Sequence, residues 1–334
     1  MAALQPLSIG EIVDRSTSFW RTNWKALFQL LLGFQLAQYV LLKSLELFVQ
    51  RTFPAATNPA QALELAKADP STWLPKLGPA VVGVVLVVMV NFLVSQIAGV
   101  ALTGFVYPRV TSAGAPSVVE ALRLSVRRLG TTFGMFALSM GWSALAGLVF
   151  LLPGGATVGG GVWLALQGNG GAGAAVSILG AVLVLGGFVV LVLWFLIRFV
   201  LASQVLAVED LSALACFRRT DQLSSGRVGP GLVGLVKGRL TLLITIIAFI
   251  LLVVGLVTGL PELVVKGLFG ELNPTRTGAS AAPQALVVPA QLLQVIAGAA
   301  ITPLYVVFQV VFYVDMRVRR EGLDLELSTK AATA

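Results

Sequence analysis

The stretch "ALVVPAQLLQVIAGAAITPLYVVFQVVF", residues 285–312, contains no charged residue, and "YVDMRVRREGLDLEL", residues 313–327, follows it directly with seven charges. The uncharged run exceeds the roughly 20 apolar residues that an α-helix needs to cross a bilayer. Arginines directly after such a run are typical of the residues that hold one end of a spanning helix in the cytoplasm. The two segments together predict a membrane-spanning helix that ends in a charged cap.

The composition of the whole chain agrees with this prediction. Of the 334 residues, 57% are hydrophobic and 11% are charged, with a mean hydropathy of +0.91. Soluble domains are about 45–50% apolar and about 25% charged. The net charge of +8 is explained by the Lys and Arg residues that collect in cytoplasmic loops, so we predict a lipid partner and no nucleic acid.

The scarcity of cysteine and the absence of histidine limit the catalytic and metal-binding chemistry that the chain can perform. The chain has a single cysteine, Cys216, and no histidine. An intrachain disulfide, a Ser-His-Asp triad and a histidine metal site are therefore excluded. We expect no enzymatic activity, no catalytic residue, no metal and no cofactor.

Six segments are long and apolar enough to cross a bilayer, and each is predicted to be a helix because backbone polar groups must be satisfied inside lipid. They lie near residues 26–48, 80–106, 131–152, 176–200, 240–260 and 291–314. The predicted fold is an all-α polytopic transmembrane bundle. It forms a single integral membrane domain over 1–327, and a disordered tail follows over 328–334.

The distribution of Lys and Arg predicts the orientation. Seventeen of the 23 flank one set of span ends, and five flank the other. This bias places both termini in the cytoplasm of a cell-membrane protein. It makes 49–79 and 261–290 outer loops, together with 153–175. The last is rich in glycine but lacks the Lys-Ser/Thr ending and the preceding strand of a phosphate loop. A flexible turn or a shallow membrane-dipping loop is favoured there over ligand binding.

Three amphipathic segments precede spans on the cytoplasmic side, at 9–28, 115–134 and 209–228. Helices of this kind lie in the interface with arginines toward the headgroups. Pro116 suits a first helical position, and Asp210 is a plausible N-cap. We expect these helices to brace the bundle, with a docking surface for a partner protein as the alternative.

Polar residues inside spans are costly and are candidates for function. Lys43 and Glu46 are predicted to form an interface-anchored cluster, with a substrate or ion site as the alternative. Arg198 is expected to reach lipid phosphates or the carboxylate of Glu209 or Asp210. Interhelical hydrogen bonds are favoured over a pathway for four amides: Asn91, Gln96, Gln294 and Gln309.

Three stretches together resemble one family. They are "LSIGEIVDRSTSFWRTNWKALFQLLL" (7–32), "IRFVLASQVLAVEDLSALACFRRTDQLSSGRV" (197–228) and "YVDMRVRREGLDLEL" (313–327). The central motif positions are Arg198, Glu209, Arg219, Thr220, Leu223, Gly226 and Arg227. The C-terminal motif positions are Tyr313, Asp315, Arg317, Arg319, Glu321, Gly322 and Asp324.

The set resembles the membrane domain associated with glycerophosphoryl diester phosphodiesterases, a six-span bacterial domain. In some relatives that domain is fused to a soluble phosphodiesterase, whose chemistry needs histidines and metal-binding acids. This chain has no histidine and no region polar enough to fold as such a domain. The resemblance therefore implies a fold and no phosphodiesterase activity.

The charged cap is expected to be folded. Asp315 would lose hydration at the interface, so we predict an arginine partner such as Arg198, Arg219 or Arg227. Gly322 fits the end of a helix, where a positive φ is needed. It would turn Leu323, Leu325 and Leu327 back against the surface helices. The alternative is a basic anchor followed by disorder.

The most favoured function is a non-catalytic scaffold, anchor or regulatory subunit whose basic face meets anionic headgroups and a possible protein partner. The alternative is a transporter or lipid-handling protein that uses the bundle interior. A polar cavity near the midplane, lined by Asn91, Gln96 or Gln294, would favour the alternative. The candidate structural or lipid-facing polar residues are Arg198, Glu209, Arg219, Arg227, Asp315, Arg317, Arg319, Glu321 and Asp324.

Overall fold

The computed structural model describes residues 5–52, 70–231, 234–270, 282–326 and 329. Helices account for most of these residues, and the described part of the chain contains no strand. The helices are α1 (Ile9–Thr52), α2 (Pro70–Val110), α3 (Val118–Arg127), α4 (Leu129–Leu166), α5 (Gly170–Phe199), α6 (Ala202–Val208), α7 (Ala213–Ser224), α8 (Val236–Leu268) and α9 (Gln284–Glu321).

Six of these helices are long and apolar enough to cross a membrane, namely α1, α2, α4, α5, α8 and α9. Their outer surfaces carry large apolar side chains, for example Val149, Ile178 and Leu185, each more than 60% exposed. Exposed apolar surface on this scale suits contact with lipid tails. The chain therefore has the all-α architecture of a multi-pass membrane protein, as the sequence predicted.

Helix α9 forms the centre of the bundle. Its apolar segment is 56% buried, compared with 17% or less in the other five spanning helices. It packs against α1, α2 and α8, whereas α4 and α5 pack mainly on each other. Trp20 of α1 donates its indole N–H to the carbonyl of Ala300 over 2.9 Å. This bond fixes the start of α1 against the middle of α9.

The short helices α3, α6 and α7 lie at the end of the bundle where α1 begins and α9 finishes. We call this the basic end. Helix α3 starts with a capping box: the Ser117 backbone N–H donates to Glu120 over 2.6 Å, and the Glu120 N–H donates to Ser117 Oγ over 3.3 Å. The first of these bonds lowers the pKa of Glu120. Val119 and Val126 are exposed beside Arg123 and Arg127, as expected of a helix in a lipid interface.

The prediction of a flexible turn or membrane-dipping loop over the glycine-rich segment 153–175 was wrong. Helix α4 runs to Leu166 and α5 starts at Gly170, so only three residues form the turn. Glycine is a poor helix former in water, but in lipid it lets two helices approach closely. Here the facing glycines bring the two backbones of the hairpin into contact.

The other predicted outer loops are shorter than expected. Helix α1 continues to Thr52 and α2 begins at Pro70, while 53–69 lies outside the described residues. Helix α8 continues to Leu268 and α9 begins at Gln284, which leaves 269–283 between them. The predicted tail, apart from Thr329, also lies outside the described residues.

The predicted amphipathic segments need three corrections. The segment 9–28 is the first part of α1 and not a separate helix. The cap of α3 is Ser117, so Pro116 precedes the cap. The cap of α7 is Ser212 and not Asp210; Asp210 instead pairs with Arg128, at the start of α4.

We expect Gly154→Ala to lower thermal stability relative to Gly155→Ala. A Cβ at 154 would lie 2.6 Å from the Val184 backbone nitrogen and 2.8 Å from Val184 Cγ2, whereas a Cβ at 155 meets nothing within 4 Å. Both changes gain the same helix propensity of about 1 kcal/mol. Overpacking should cost the first variant about 1–3 kcal/mol. Thermal unfolding in detergent measures the difference, and equal midpoints would contradict the close hairpin packing.

Candidate functional site

A buried carboxylate joins three helices at the basic end. Asp315 of α9 has a fully buried side chain. Its Oδ1 accepts from the Leu7 backbone N–H over 2.7 Å and from Arg319 Nε over 3.0 Å. Arg239, at the start of α8, lies 3.5 Å from Oδ2. The negative charge is therefore paired and hydrogen-bonded, as a buried ion must be.

The same two arginines hold the chain just before α1. Arg239 Nη2 donates to the Leu7 carbonyl over 2.6 Å, and Arg319 Nη2 donates to it over 2.8 Å. Ser8 and Glu11 form reciprocal hydrogen bonds of a capping-box type directly after Leu7. Such a box fixes the first turn of a helix, and so it presents Leu7 to α8 and α9. We call Leu7, Arg239, Asp315 and Arg319 the Asp315 clasp.

This clasp corrects one prediction. Asp315 was expected to pair with Arg198, Arg219 or Arg227, but its partners are Arg239 and Arg319. Gly322 does have the predicted positive φ, of 64°, at the end of α9. Leu323 turns inward and is buried, whereas Leu325 is 68% exposed. Leu327 lies outside the described residues.

A second network lies beside the clasp. Glu209 accepts from Arg219 Nε over 2.9 Å and from the Tyr313 hydroxyl over 2.8 Å. Arg219 also pairs with Glu321, which accepts from Arg317 Nε over 2.9 Å. Burial alone would lower the pKa of Arg219, but hydrogen bonds and charges from Glu321 and Glu209 raise it. The network ties α7 to the end of α9.

Arg198 is placed differently from the prediction. Its guanidinium lies 3.4 Å from Asp221 of α7, and neither Glu209 nor Asp210 is its partner. The guanidinium also lies 5.2 Å from the ring centroids of both Trp142 and Trp194. Cation–π contacts of this kind stabilise a cation that is partly removed from water. Arg198 therefore joins the α4–α5 hairpin to α7.

The remaining predicted residues lie outside these ion pairs. Arg227 is exposed in a loop that a bridge to Leu235 closes. Asp324 is half-buried after the end of α9. Eight cations among the described residues at this end are exposed: Arg21, Lys25, Arg123, Arg127, Arg218, Arg227, Lys237 and Arg320.

An open polar cavity of about 520 Å³ lies between α1, α2, α8 and α9. It extends from Glu46 and Glu262, at the end opposite the basic end, to Thr302 near the middle of α9. We call it the first cavity. The predicted Lys43–Glu46 pair forms part of its wall, at 2.9 Å. Asn91 and Gln294 line the first cavity as well.

A second cavity, of about 290 Å³, adjoins the first and shares Gln35, Gln38 and Thr302 with it. It lies closer to the basic end and includes Gln96 and Gln309. Its wall has more apolar surface, including the rings of Phe92, Phe195 and Phe199. The two neighbouring volumes together extend from the opposite end of the bundle past its middle, and their walls mix polar and apolar side chains.

The four amides were predicted to make interhelical hydrogen bonds, and their side chains do not all do so. Gln309 accepts from Gln204 Nε2 over 3.1 Å, an interhelical hydrogen bond next to the second cavity. Asn91 uses its backbone carbonyl to accept from Gln38, while its own Oδ1 is buried without a partner. An unpaired buried acceptor costs about 1–3 kcal/mol. The Asn91 side-chain oxygen therefore makes no interhelical hydrogen bond.

Sequence reasoning missed most of the cavity wall. The signal was a polar stripe along α1 at helical spacing, formed by Gln35, Gln38, Tyr39, Lys43 and Glu46. Residues three and four apart share one helix face, so this stripe identifies one wall. Arg239 and Gln204 were missed too, although each is a polar residue beside an apolar run.

Comparison of the chain with protein-family models, with curated proteins and with solved structures finds no match. The function must therefore be argued from the geometry of the basic end and the two cavities.

We expect Asp315→Asn to destabilise the protein strongly. The change would leave Arg239, with a side chain only 6% exposed, without its counter-charge, and breaking a buried pair on one side costs about 3–5 kcal/mol. Asp324→Asn is the matched control because Asp324 lies on the same segment but outside the clasp. Thermal unfolding in detergent compares the two, and a shift no larger than that of the control would show that the clasp is not a structural requirement.

Proposed function

We propose that the chain is a non-catalytic multi-pass protein that binds a small polar or amphiphilic molecule inside its bundle, as a transporter or lipid-handling protein does. The observation that carries this proposal is the first cavity, whose wall includes Asn91 and Gln294 and which extends to Thr302 near the middle of α9. Its volume of about 520 Å³ falls within the range of about 300–1,000 Å³ for small-molecule sites. A bundle that served only as a scaffold would have no need of this polar interior.

The basic end supports a second candidate, a scaffold or anchor on anionic lipid with a possible protein partner. Eight exposed cations among the described residues at this end take no part in the ion pairs described above. Lys and Arg near an anionic leaflet contribute about 1 kcal/mol each. These cations use none of the cavity residues, so anchoring and binding are compatible functions.

We also propose membership of the membrane-domain family associated with glycerophosphoryl diester phosphodiesterases. All three stretches that carry the resemblance meet at the basic end: Leu7 of the first contacts Asp315 of the third, and Glu209 of the second contacts Tyr313 of the third. Shared contacts among the motif residues support a common architecture. They support no hydrolase activity, because the chain has no histidine.

The proposed location is the cell membrane, with both termini and the basic end in the cytoplasm. This follows from the bias of seventeen to five in flanking Lys and Arg residues.

We expect an impermeant maleimide to label Gln167→Cys in intact cells and Ala113→Cys only after permeabilisation. Both positions are exposed, at opposite ends of the bundle. The reverse pattern would overturn the orientation.

The labelling requires a Cys216→Ala background. Cys216 is buried, and desolvation by that burial raises the pKa of its thiol to about 11. Because the thiolate is the nucleophile, the native cysteine should react slowly on either side of the membrane. It therefore reports folding and not orientation.

The cavity is tested by blocking it. We expect wild-type protein in lipid nanodiscs to retain a small molecule or lipid that is enriched over the surrounding membrane, and Gly298→Trp to lose it, as measured by mass spectrometry of extracts. Gly298 lines the first cavity, where an added Cβ would lie 3.7 Å from Gln35 Oε1. Gly33→Trp is the control, since nothing lies within 4 Å of a Cβ at that position. Identical extracts from all three proteins would contradict internal binding.

A further inference from the structure

The wall of the first cavity is unusually rich in side-chain amides. Gln35, Gln38, Asn91, Gln291 and Gln294 all line it. Each amide can both donate and accept hydrogen bonds. A ligand that uses this wall fully must therefore also both donate and accept, at several points.

The charges of the same wall are already paired. Lys43 lies 2.9 Å from Glu46, and Glu262 lies 2.6 Å from Lys266. Gln291 Nε2 also donates to Glu262, over 3.0 Å. A phosphate or a quaternary ammonium ion would have to break one of these pairs to find a counter-charge. The wall therefore favours a ligand group without net charge.

One acceptor of this wall has no partner within the described chain. Asn91 Oδ1 is buried and unpaired, although the neighbouring Gln38 donates to the Asn91 backbone carbonyl and to Ser95. Oδ1 has almost no accessible surface, so a ligand reaches it only when the Asn91 side chain turns toward the cavity, and it is then satisfied by a donor and not by a further acceptor. A hydroxyl group supplies that donor and can accept from the other amides at the same time.

We propose that the first cavity binds a polyhydroxylated group, such as a sugar or a polyol. This inference rests on the proposed function and specifies its ligand class. The group has two possible sources, a free solute or the headgroup of a lipid. The adjoining second cavity, with Phe92 and Phe195 in its wall, would hold the apolar part of the lipid.

The test uses the full chain, purified in a polyoxyethylene detergent so that no sugar detergent enters the cavity, and placed in phosphatidylcholine nanodiscs. Sucrose and myo-inositol are the free probes, and a monoglucosyl diacylglycerol is the lipid probe. Glycine betaine, a zwitterion, and inorganic phosphate, an anion, are the control probes, since both carry ionic groups and neither is a sugar or a polyol. Affinities for the soluble probes are measured by calorimetry, and binding of the lipid by native mass spectrometry.

We expect at least one hydroxylated probe to bind, and Gln294→Leu and Asn91→Leu each to weaken that binding at least tenfold. Gln222→Leu, at an exposed position on α7, should leave it unchanged. Matching unfolding midpoints among the three variants show that folding is intact. Binding of sucrose or myo-inositol identifies a free solute, and binding of the glycolipid alone identifies a headgroup.

The inference is overturned if no hydroxylated probe binds, if only betaine or phosphate binds, or if the two amide variants bind like the Gln222 control. None of these outcomes bears on whether Gly298→Trp displaces a retained molecule. The ligand class can therefore fail while internal binding stands. Failure of the retention experiment would remove the proposed function itself.

Discussion

The burial of Asp315 is the constraint on which the arrangement of the bundle depends. A carboxylate in an apolar interior is tolerated only when charges and donors surround it. Here Arg319 comes from the same helix, Arg239 from the start of α8, and the Leu7 N–H from the residue before the α1 cap. The register of α1, α8 and α9 is thus set at a single point. Any shift of one helix along another would leave an ion unpaired.

Fixing the helices at one end leaves them free to separate at the other. Polar side chains on α1, α8 and α9 face one another there, and the first cavity lies between them. Toward the basic end the Gln204–Gln309 hydrogen bond crosses the core, and Gln204 is fully buried. Among the described residues, the bundle is thus closed by ions and amides at the basic end, and the first cavity separates the helices toward the opposite end. This asymmetry is what a binding site within a helical bundle requires.

The spanning helices and the local backbone features could be predicted from the sequence, because both depend on residues that are close together in the chain. Hydropathy located six helices, and the glycine after a charged helix end predicted the left-handed conformation of Gly322. The extension of α4 and α5 through 153–175 was missed because glycine was interpreted as a loop former, whereas its small size serves close packing in lipid. Arg239 was missed as a partner of Asp315 because it belongs to a different helix, which only the tertiary fold brings close, whereas Arg319 lies four residues away on the same helix and its spacing could have revealed it. The polar face of α1 that lines the first cavity could be read from the sequence. The helices that complete the cavity wall, α2, α8 and α9, could not be identified in this way.

The positive charge of the chain serves two physical purposes that the composition could not separate. Arg219, Arg239, Arg317 and Arg319 are bound to carboxylates and act inside the fold. Arg123, Arg127 and Lys237 are exposed and remain available to anionic headgroups. The internal arginines hold α7, α8 and α9 together. The exposed cations therefore lie on a surface whose helices have fixed positions. Attraction to a membrane leaflet would then position the whole bundle without drawing on the residues of the cavity, which lie beyond the clasp. The proposed anchoring and the proposed ligand binding therefore draw on different residues within the described part of the chain.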